Sequence, residues 1–299
     1  MCKGEGISLV ILLEKRNVSF RILKKAVGAP AGAKDPPARG EGSGRRNRLA
    51  FNETCREWEA FMTQTAIEIM SGDFIVWRCL HDGALTTNSI EQWGRQSDIP
   101  WGEFRARNVP LLTKLTEVYG ACAILARTRD RVVGHLRFYP KAVWEMAKPG
   151  LGLCMQQEFP SGPPRDFAER RFPPLDEIQD KTIVVHCMMV APGGPESESS
   201  HRKGIGTRMA RRLVEWAGEN GWRHIEATAY EDLDLIYTLT GQAGKSFWEK
   251  IGFHVAEVGV ESYFAEANEH TKILRDQAIS RGLPPDAVQN KYTMRLDLA

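Results

Sequence analysis

The residues whose types and spacing best suit a chemical role lie around Gly204 and Gly206. Glycines let the backbone bend and approach a ligand without an obstructing Cβ atom. If a helix begins here, its first amide groups point out of the helix start, where the helix dipole favours negative charge. Arg202 and Lys203 add cations, and Thr207 adds a hydroxyl group. The turn therefore suits a pyrophosphate group, although these residues alone fit an ordinary helix start equally well.

Two other phosphate-binding motifs are excluded by single positions. Residues 244–246 (GKS) look like the end of a P-loop, but Leu239 stands where that motif requires a glycine. The dinucleotide fingerprint also fails, because no third glycine follows Gly206 at the required spacing. We therefore expect neither a P-loop nucleotide hydrolase nor a dinucleotide-binding domain.

The elements that must position this turn are visible in the hydropathy pattern. Residues 182–190 (TIVVHCMMV) predict a continuous apolar strand that is buried on both faces. Residues 207–220 predict an amphipathic helix that ends near Gly221. Residues 222–230 then alternate as a strand. The turn thus lies in a strand, glycine turn, helix and strand unit.

Further elements are predicted on both sides of this unit. Six prolines between Pro149 and Pro174 make residues 141–181 a long loop, which we expect to be a lid, a binding loop or a disordered insert. The other predictions are a helix over 49–70, a strand over 74–80, a helix between Pro110 and Val118 with Pro110 in its first turn, a β-hairpin of 118–127 and 131–139, a helix over 242–251 ended by Gly252, a strand over 253–260, a helix over 265–281 and a strand over 292–298.

The order of motifs from 182 to 253 resembles the GCN5-related N-acetyltransferases (GNAT family). That family has a strand ending in V-x-P, a turn reading Arg/Gln-x-x-Gly-x-Gly/Ala, an amphipathic helix, a strand, and a helix ending in Gly-Phe. Here residues 190–192 (VAP), 201–206 (HRKGIG) and 247–253 (FWEKIGF) supply the corresponding segments. The strong match covers about 72 residues, and a weaker one covers most of 118–298.

The resemblance implies an α/β (α+β) fold, with a mixed, mainly antiparallel sheet flanked by helices. It implies acetyl-CoA as co-substrate, no metal, and transfer of the acetyl group by direct attack of a primary amine on the thioester. The strands 182–190 and 222–230 would splay apart to admit the pantetheine arm, and the amides of 202–207 would hold the pyrophosphate. The implied cofactor-binding residues are Met189, Val190, His201, Arg202, Lys203, Gly204, Ile205, Gly206, Thr207, Phe247 and Trp248.

Three positions depart from the family pattern. His201 stands at the Arg/Gln position, although Arg202 is adjacent. The loop 193–200 is longer than is usual in the family, and we favour a solvated surface loop over a substrate contact. Trp248 stands where the family often has a tyrosine general acid. An indole cannot serve as a proton donor near neutral pH, so another group or water must protonate the leaving thiolate.

The candidate acids and bases each have a structural alternative. His186 has an ordinary pKa near neutral pH and could act as a base, but a histidine in an apolar strand is more often packed in a core. Glu226 could accept a proton through water, or it could simply face solvent, since it alternates with apolar neighbours. A cluster after the 222–230 strand could bind a cationic amine, with Tyr237 as an acid, or form a capped, solvated helix start. It contains Tyr230, Glu231, Asp232, Asp234 and Tyr237.

Charge and cysteine usage limit the partners and the compartment. Residues 1–50 hold eleven Lys and Arg against four Asp and Glu, which leaves the rest of the chain mildly acidic. This distribution argues against a nucleic-acid-binding face on the folded body. The six cysteines form no CxxC pair, so we expect no zinc or disulfide framework and a reducing, cytoplasmic setting. No apolar run approaches the roughly 18 residues of a membrane span.

The predicted organisation is one domain with a basic N-terminal extension. Residues 1–48 are expected to be disordered, because 28–48 offer little to bury and the apolar run 7–13 is short for a signal peptide. Residues 49–299 form the domain, with insertions near 141–181 and 261–288.

The leading hypothesis is an acetyl-CoA-dependent N-acetyltransferase whose amine substrate is a small molecule or a protein. The alternatives are a non-catalytic acyl-CoA-binding or regulatory module of the same fold, and an interaction scaffold that uses the 149–174 loop. The identity of the amine and the oligomeric state stay open.

Overall fold

The computed structural model describes residues 65–80, 83–86, 101–129, 131–147, 169–191, 204–240 and 242–299. All of them belong to Thr54–Ala299, the second of two units into which the chain divides. The predicted N-terminal extension, and the predicted helix before residue 65, lie outside the described residues.

Eight strands of the described chain form one sheet. They are β1 (Thr65–Ile69), β2 (Leu85–Thr86), β3 (Ala123–Thr128), β4 (Arg131–Pro140), β5 (Thr182–Val190), β6 (His224–Ala229), β7 (His254–Val260) and β8 (Asn290–Asp297). Seven follow the order β1-β3-β4-β5-β6-β8-β7, and β2 pairs with the start of β4. Every pairing is antiparallel except that of β5 with β6.

Helices cover this sheet, so the fold class expected from the sequence is confirmed. They are α1 (Trp101–Tyr119), α2 (Lys141–Ala147), α3 (Ile205–Glu219), α4 (Asp234–Thr240), α5 (Lys245–Ile251), α6 (Ser262–Ala265) and α7 (Glu269–Ser280), with a 3-10 helix at Pro285–Gln289. The predicted hairpin is confirmed as β3 and β4, although β3 begins only at Ala123 because the preceding residues complete α1. Gly252 ends α5 in the left-handed conformation, as its position predicted.

Helix α3 packs through a stripe of apolar side chains at helical spacing. Met209, Leu213 and Trp216 are buried on one side of the helix. The Trp216 ring lies 5.0 Å from that of Phe138 on β4, measured between centroids. This contact fixes the helix across the centre of the sheet.

Several local predictions were wrong where tertiary contacts overrode them. Residues 65–69 form strand β1 rather than a helix, because they pair with β3. Residues 74–80 are buried but form no strand, since apolarity reports burial rather than conformation. Helix α1 starts well before Pro110, which lies in its interior. The cost of that proline is offset by packing and by Asn108, whose Nδ2 donates to the Trp77 carbonyl at 3.1 Å. The loop expected from residue 141 begins instead with helix α2.

Residues 261–288 contribute to a second, smaller core beside the end of β6. Helices α6 and α7 pack against α4 here. The buried side chains of this core are Tyr230, Leu233, Ile236, Phe264, Leu274, Ala278 and Val288. The insertion therefore borders the segment that follows β6.

Candidate active site

The central feature of the site is the divergence of β5 and β6. The two strands pair in parallel over only four residues, from Thr182 opposite His224 to Val185 opposite Ala227. Strand β5 then continues to Val190 and stays paired with β4 as far as Gly134. Beyond Val185, no described strand pairs with this edge of β5, so the two strands diverge as the resemblance implied, and we call the space between them the gap.

A bulge explains where the strands separate. Arg137 of β4 lies opposite Cys187, but the next residue, Phe138, lies opposite Val185. His186 is thus an extra residue on β5. Bulges bend and twist the strand that carries them, and this one follows the last β5–β6 pair directly.

The start of α3 has the geometry of an anion-binding turn. Gly204 precedes the helix with φ 70° and ψ 6°, a left-handed conformation that favours glycine. Among the described residues, no side chain caps the first amide groups, and the first turn holds no acidic residue. The positive end of the helix dipole is therefore left for a ligand.

Gly134 on β4 allows the start of α3 to pack closely against the sheet beside the end of β5. The role of this residue was not predicted from the sequence. A Cβ atom at Gly134 would lie 3.0 Å from Ile205 Cγ2 and 3.0 Å from Met209 Sδ. Gly134 is also the strand partner of Val190. The sequence signal that could have found it is a glycine inside an apolar strand pattern, because such a glycine often marks the close approach of another backbone or a ligand.

The described cofactor-binding candidates cluster around this turn. Met189 and Val190 end β5, and the turn residues from Gly204 to Thr207 follow. Phe247 packs over the turn, since a Cβ atom at Gly206 would meet its ring at 3.6 Å. Residues 201–203, which include His201, Arg202 and Lys203, lie outside the described chain.

Trp248 and Ile205 are both core residues, each 1% exposed. The Trp248 ring packs 5.1 Å from that of Phe247 and 4.9 Å from that of Phe253, between centroids. Any contact of these two residues with a cofactor would therefore have to use the backbone, in contrast to the half-buried Phe247 ring.

Glu226 is held in a charged cluster instead of facing water. Its carboxylate accepts hydrogen bonds from Lys141 Nζ at 3.0 Å and from Arg295 Nη1 at 3.2 Å. Its side chain is 12% exposed. The carboxylate is thus engaged by two cations within the fold.

His186 lies at the gap among aromatic rings. Its ring is 5.6 Å from that of Tyr139 and 5.3 Å from that of Trp144, between centroids. Burial, assisted by the positive charge of Arg137, lowers its pKa to about 4. The imidazole is therefore neutral at pH 7. Its Nε2 atom is buried and has no hydrogen-bond partner among the described residues.

Tyr237 on α4 is the most accessible acid candidate. It is 37% exposed. Partial burial, with a contribution from Cys187, raises the pKa of its hydroxyl. The phenol thus stays protonated at neutral pH and can donate.

The acidic cluster around Tyr237 is used within the fold. Asp232 caps α5 by accepting from the Ser246 backbone N–H at 3.1 Å and from its hydroxyl at 2.9 Å. Asp234 pairs with Arg281 at 3.0 Å. The remaining contacts are Tyr292 to Glu231 and Tyr230 to Glu261. These partners favour the capped helix start over a site for a cationic amine.

The described residues offer neither a metal site nor a membrane-spanning helix. No group of three or more His, Cys, Asp or Glu side chains there is arranged to hold a metal ion. None of the helices in the described ranges is long and apolar enough to cross a bilayer.

Comparison with known proteins gives matches only among solved structures. No protein-family model and no curated protein sequence matches the chain. An acetyltransferase of the GNAT family from Streptococcus pneumoniae is 10% identical, with 79% of this chain and 99% of that chain covered and a TM-score of 0.38.

Two further structures give similar values. A GCN5-related N-acetyltransferase from Kribbella flavida is 13% identical, with 79% and 99% covered and a TM-score of 0.35. A Bacillus subtilis acetyltransferase in complex with CoA is 14% identical, with 59% and 76% covered and a TM-score of 0.32. Many of the solved structures that match this chain are thus acetyltransferases, and several are described as members of the GNAT family.

Proposed function

We propose that the chain is an acetyl-CoA-dependent N-acetyltransferase that acts on a primary amine, with 49–299 as its catalytic domain. The observation that carries this proposal is the divergence of β5 from β6 after four residue pairs, beside the uncapped start of α3. The edge of a strand that has left its neighbour can hydrogen-bond the amides of a pantetheine arm. A helix start at the end of the same strand suits the pyrophosphate.

The residues present divide the binding task in this proposal. The β5 edge at Met189 and Val190 holds the pantetheine arm. The amides after Gly204 hold the pyrophosphate, and the Phe247 ring closes the turn from the side of α5. Arg202 and Lys203, which precede this turn in the sequence, add positive charge.

The reaction needs one proton removed and one supplied. The amine nitrogen bonds to the thioester carbonyl carbon, the carbon–sulfur bond breaks, the amine loses a proton, and the thiolate gains one. In this proposal His186 removes the proton through Nε2, because it is neutral and lies at the gap. Tyr237 supplies the proton to sulfur, because its phenol is protonated and partly exposed.

Calorimetric titration with acetyl-CoA is the first test. We expect saturable 1:1 binding to the folded protein. Absence of binding, with a folded protein shown by circular dichroism, would refute the proposal. Release of free thiol from acetyl-CoA in the presence of a panel of primary amines then tests for transfer.

A second candidate function is a non-catalytic acyl-CoA-binding module. Two observations favour it. Trp248, at the position where the family often has a tyrosine acid, is a buried indole, and the carboxylate of Glu226, a candidate base, already binds two cations. His186→Gln and Tyr237→Phe separate the two functions. If the wild type releases thiol and both variants slow it while binding acetyl-CoA normally, the chain is an enzyme. Binding without thiol release for every amine supports the module.

A further inference from the structure

A row of buried polar side chains runs along β4, the strand that pairs with β5 on the edge opposite the gap. His135, Arg137 and Tyr139 alternate along the strand, so they share one face of the sheet. Each is 0% exposed. Strand interiors of this kind are normally apolar, so three consecutive polar residues on a buried face need a physical reason.

Most polar atoms of this row have no hydrogen-bond partner among the described residues. Arg137 uses Nη2 to donate to the Val76 carbonyl at 2.8 Å, but its Nε and Nη1 are unpartnered. Both ring nitrogens of His135 are also unpartnered, as is Nε2 of the neighbouring His186, and the Tyr139 hydroxyl interacts with the Arg137 guanidinium alone among the described side chains that can form hydrogen bonds. Buried polar atoms are usually satisfied by protein, water or a ligand.

The positive charge of Arg137 is not matched by any described acid. The groups that act on its guanidinium are Tyr139 and three thiols, those of Cys79, Cys187 and Cys122. The nearby histidines are neutral, because burial lowers the pKa of His135 to about 3 and that of His186 to about 4. A buried, uncompensated cation destabilises a fold, and such a cost is typical of residues retained for function.

The position of Arg137 links this row to the gap. Its strand partner is Cys187, which follows the bulge residue His186. That bulge lies where β5 leaves β6, the place at which the proposed acceptor amine must meet the thioester. A negatively charged group attached to the acceptor could bind the Nε and Nη1 donors of this guanidinium, whose strand partner Cys187 directly follows the candidate base.

We propose that the acceptor is a small amino carboxylic acid whose carboxylate binds Arg137, with the Tyr139 hydroxyl and the imidazole of His135 completing its hydrogen bonds. This inference rests on the proposed acetyltransferase function. A carboxylate matches both the charge and the donors of the site, and hydrogen bonds between charged groups are the strong ones. A polyamine, which carries only positive charge, is excluded by the same argument.

The test measures how fast the wild-type protein acetylates pairs of acceptors that differ only in the carboxylate. Each amino acid is assayed beside the amine that lacks only its carboxylate, at saturating acetyl-CoA. We expect kcat/KM to be higher for the amino acid by about tenfold to a hundredfold, since a charge-assisted hydrogen bond contributes about 1.5–3 kcal/mol. Equal or better turnover of the amines would overturn the inference while leaving the acetyltransferase proposal intact. Failure to bind acetyl-CoA, in contrast, would refute the acetyltransferase proposal itself.

Arg137→Met tests the residue, with Arg127→Met as the matched control. Arg127 lies on the neighbouring strand and pairs with Glu68 at 2.9 Å. We expect Arg137→Met to abolish the preference for amino acids while acetyl-CoA affinity changes less than twofold, and Arg127→Met to keep the preference. A preference retained in Arg137→Met would contradict the inference.

A measurement without variants covers the case in which Arg137→Met does not fold. Carboxylic acids that lack the amine should inhibit the wild type competitively against the acceptor. The corresponding neutral amides should not. Equal inhibition by acids and amides would refute a carboxylate site.

Discussion

The side chain of Gln242 bridges the two diverging strands by donating from Nε2 to the carbonyl oxygen of His186 at 3.2 Å. The segment that carries Gln242 runs beside the end of β6, because Tyr230 and Gly244 form a parallel bridge and Lys245 N–H donates to the Tyr230 carbonyl at 2.9 Å. Gln242 therefore occupies an acceptor on the β5 edge that faces the gap.

Gln242→Ala should tighten acetyl-CoA binding. The substitution frees the His186 carbonyl for the pantetheine arm, and a protein hydrogen bond of this kind contributes about 0.5–1.5 kcal/mol. We expect the dissociation constant to fall by about twofold to tenfold in a calorimetric titration. Gln289→Ala, which removes only a surface contact to Asp286, is the control. Weaker binding by Gln242→Ala would show that the amide contacts the ligand instead.

Gly134→Val should destabilise the protein and weaken acetyl-CoA binding together. The added side chain would meet Ala126, Ile205 and Met209 at 2.9–3.0 Å from its Cβ alone. Overpacking of this kind costs about 1–3 kcal/mol and would displace the start of α3.

Gly218→Ala, which lies in α3 with open space around it, is the control for Gly134→Val. It should be neutral or stabilising by up to about 1 kcal/mol. Urea unfolding measures both variants. An unchanged free energy of unfolding for Gly134→Val would contradict the close contact.

Gly206→Asp should weaken acetyl-CoA binding without destabilising the fold. A carboxylate in the first turn of α3 repels the pyrophosphate but interacts favourably with the helix dipole, by about 0.3–1 kcal/mol. Gly206→Ala controls for the Cβ atom, which has ordinary contacts of 3.6 Å or more. We expect at least tenfold weaker binding for Asp and near-normal binding for Ala. Equal affinities of the two variants would mean that the phosphates bind elsewhere.

Glu226→Gln should lower the free energy of unfolding by about 1–3 kcal/mol. The carboxylate holds Lys141 and Arg295 together in a largely buried position, so its charge compensates two cations. Asp234→Asn removes one exposed partner of Arg281, whose side chain is 42% exposed, and should cost less than about 1 kcal/mol. Chemical denaturation of both variants tests the difference. Equal losses of unfolding free energy in the two variants would show that the ion pairs of Glu226 stabilise the fold no more than an exposed surface pair does.

Stability should fall as the pH drops below 6.5, in part because of His186. Its pKa is lowered to about 4 in the folded state by burial. Between pH 6.5 and 4 the unfolded chain therefore binds a proton that the folded chain does not, and stability is lost at up to about 1.4 kcal/mol per pH unit. His186→Gln should make this dependence less steep than in the wild type without removing it, because burial also lowers the pKa of His135, to about 3. Equilibrium unfolding from pH 7 to pH 4.5 measures both slopes.

The sequence alone determined the elements that carry a strong local signal. Strand β5 is fixed by its unbroken apolar run, α3 by its apolar stripe, and the end of α5 by Gly252. These signals depend on neighbours within one or two turns, and so periodicity suffices to find them. The glycines before α3 were recognised for the same reason.

Tertiary structure decided what those elements do together. The bulge that makes His186 an extra residue depends on how β4 aligns with β5, and the four-residue pairing of β5 with β6 depends on a register between distant segments. The burial of Arg137 beside Val76 joins residues 61 positions apart. Register and burial are set by packing across the whole sheet, because each strand satisfies partners on both sides at once. For this reason a local pattern could mark the phosphate turn, but only the folded chain could bring it to the edge of β5 that leaves β6 and near a buried guanidinium that no described carboxylate pairs with.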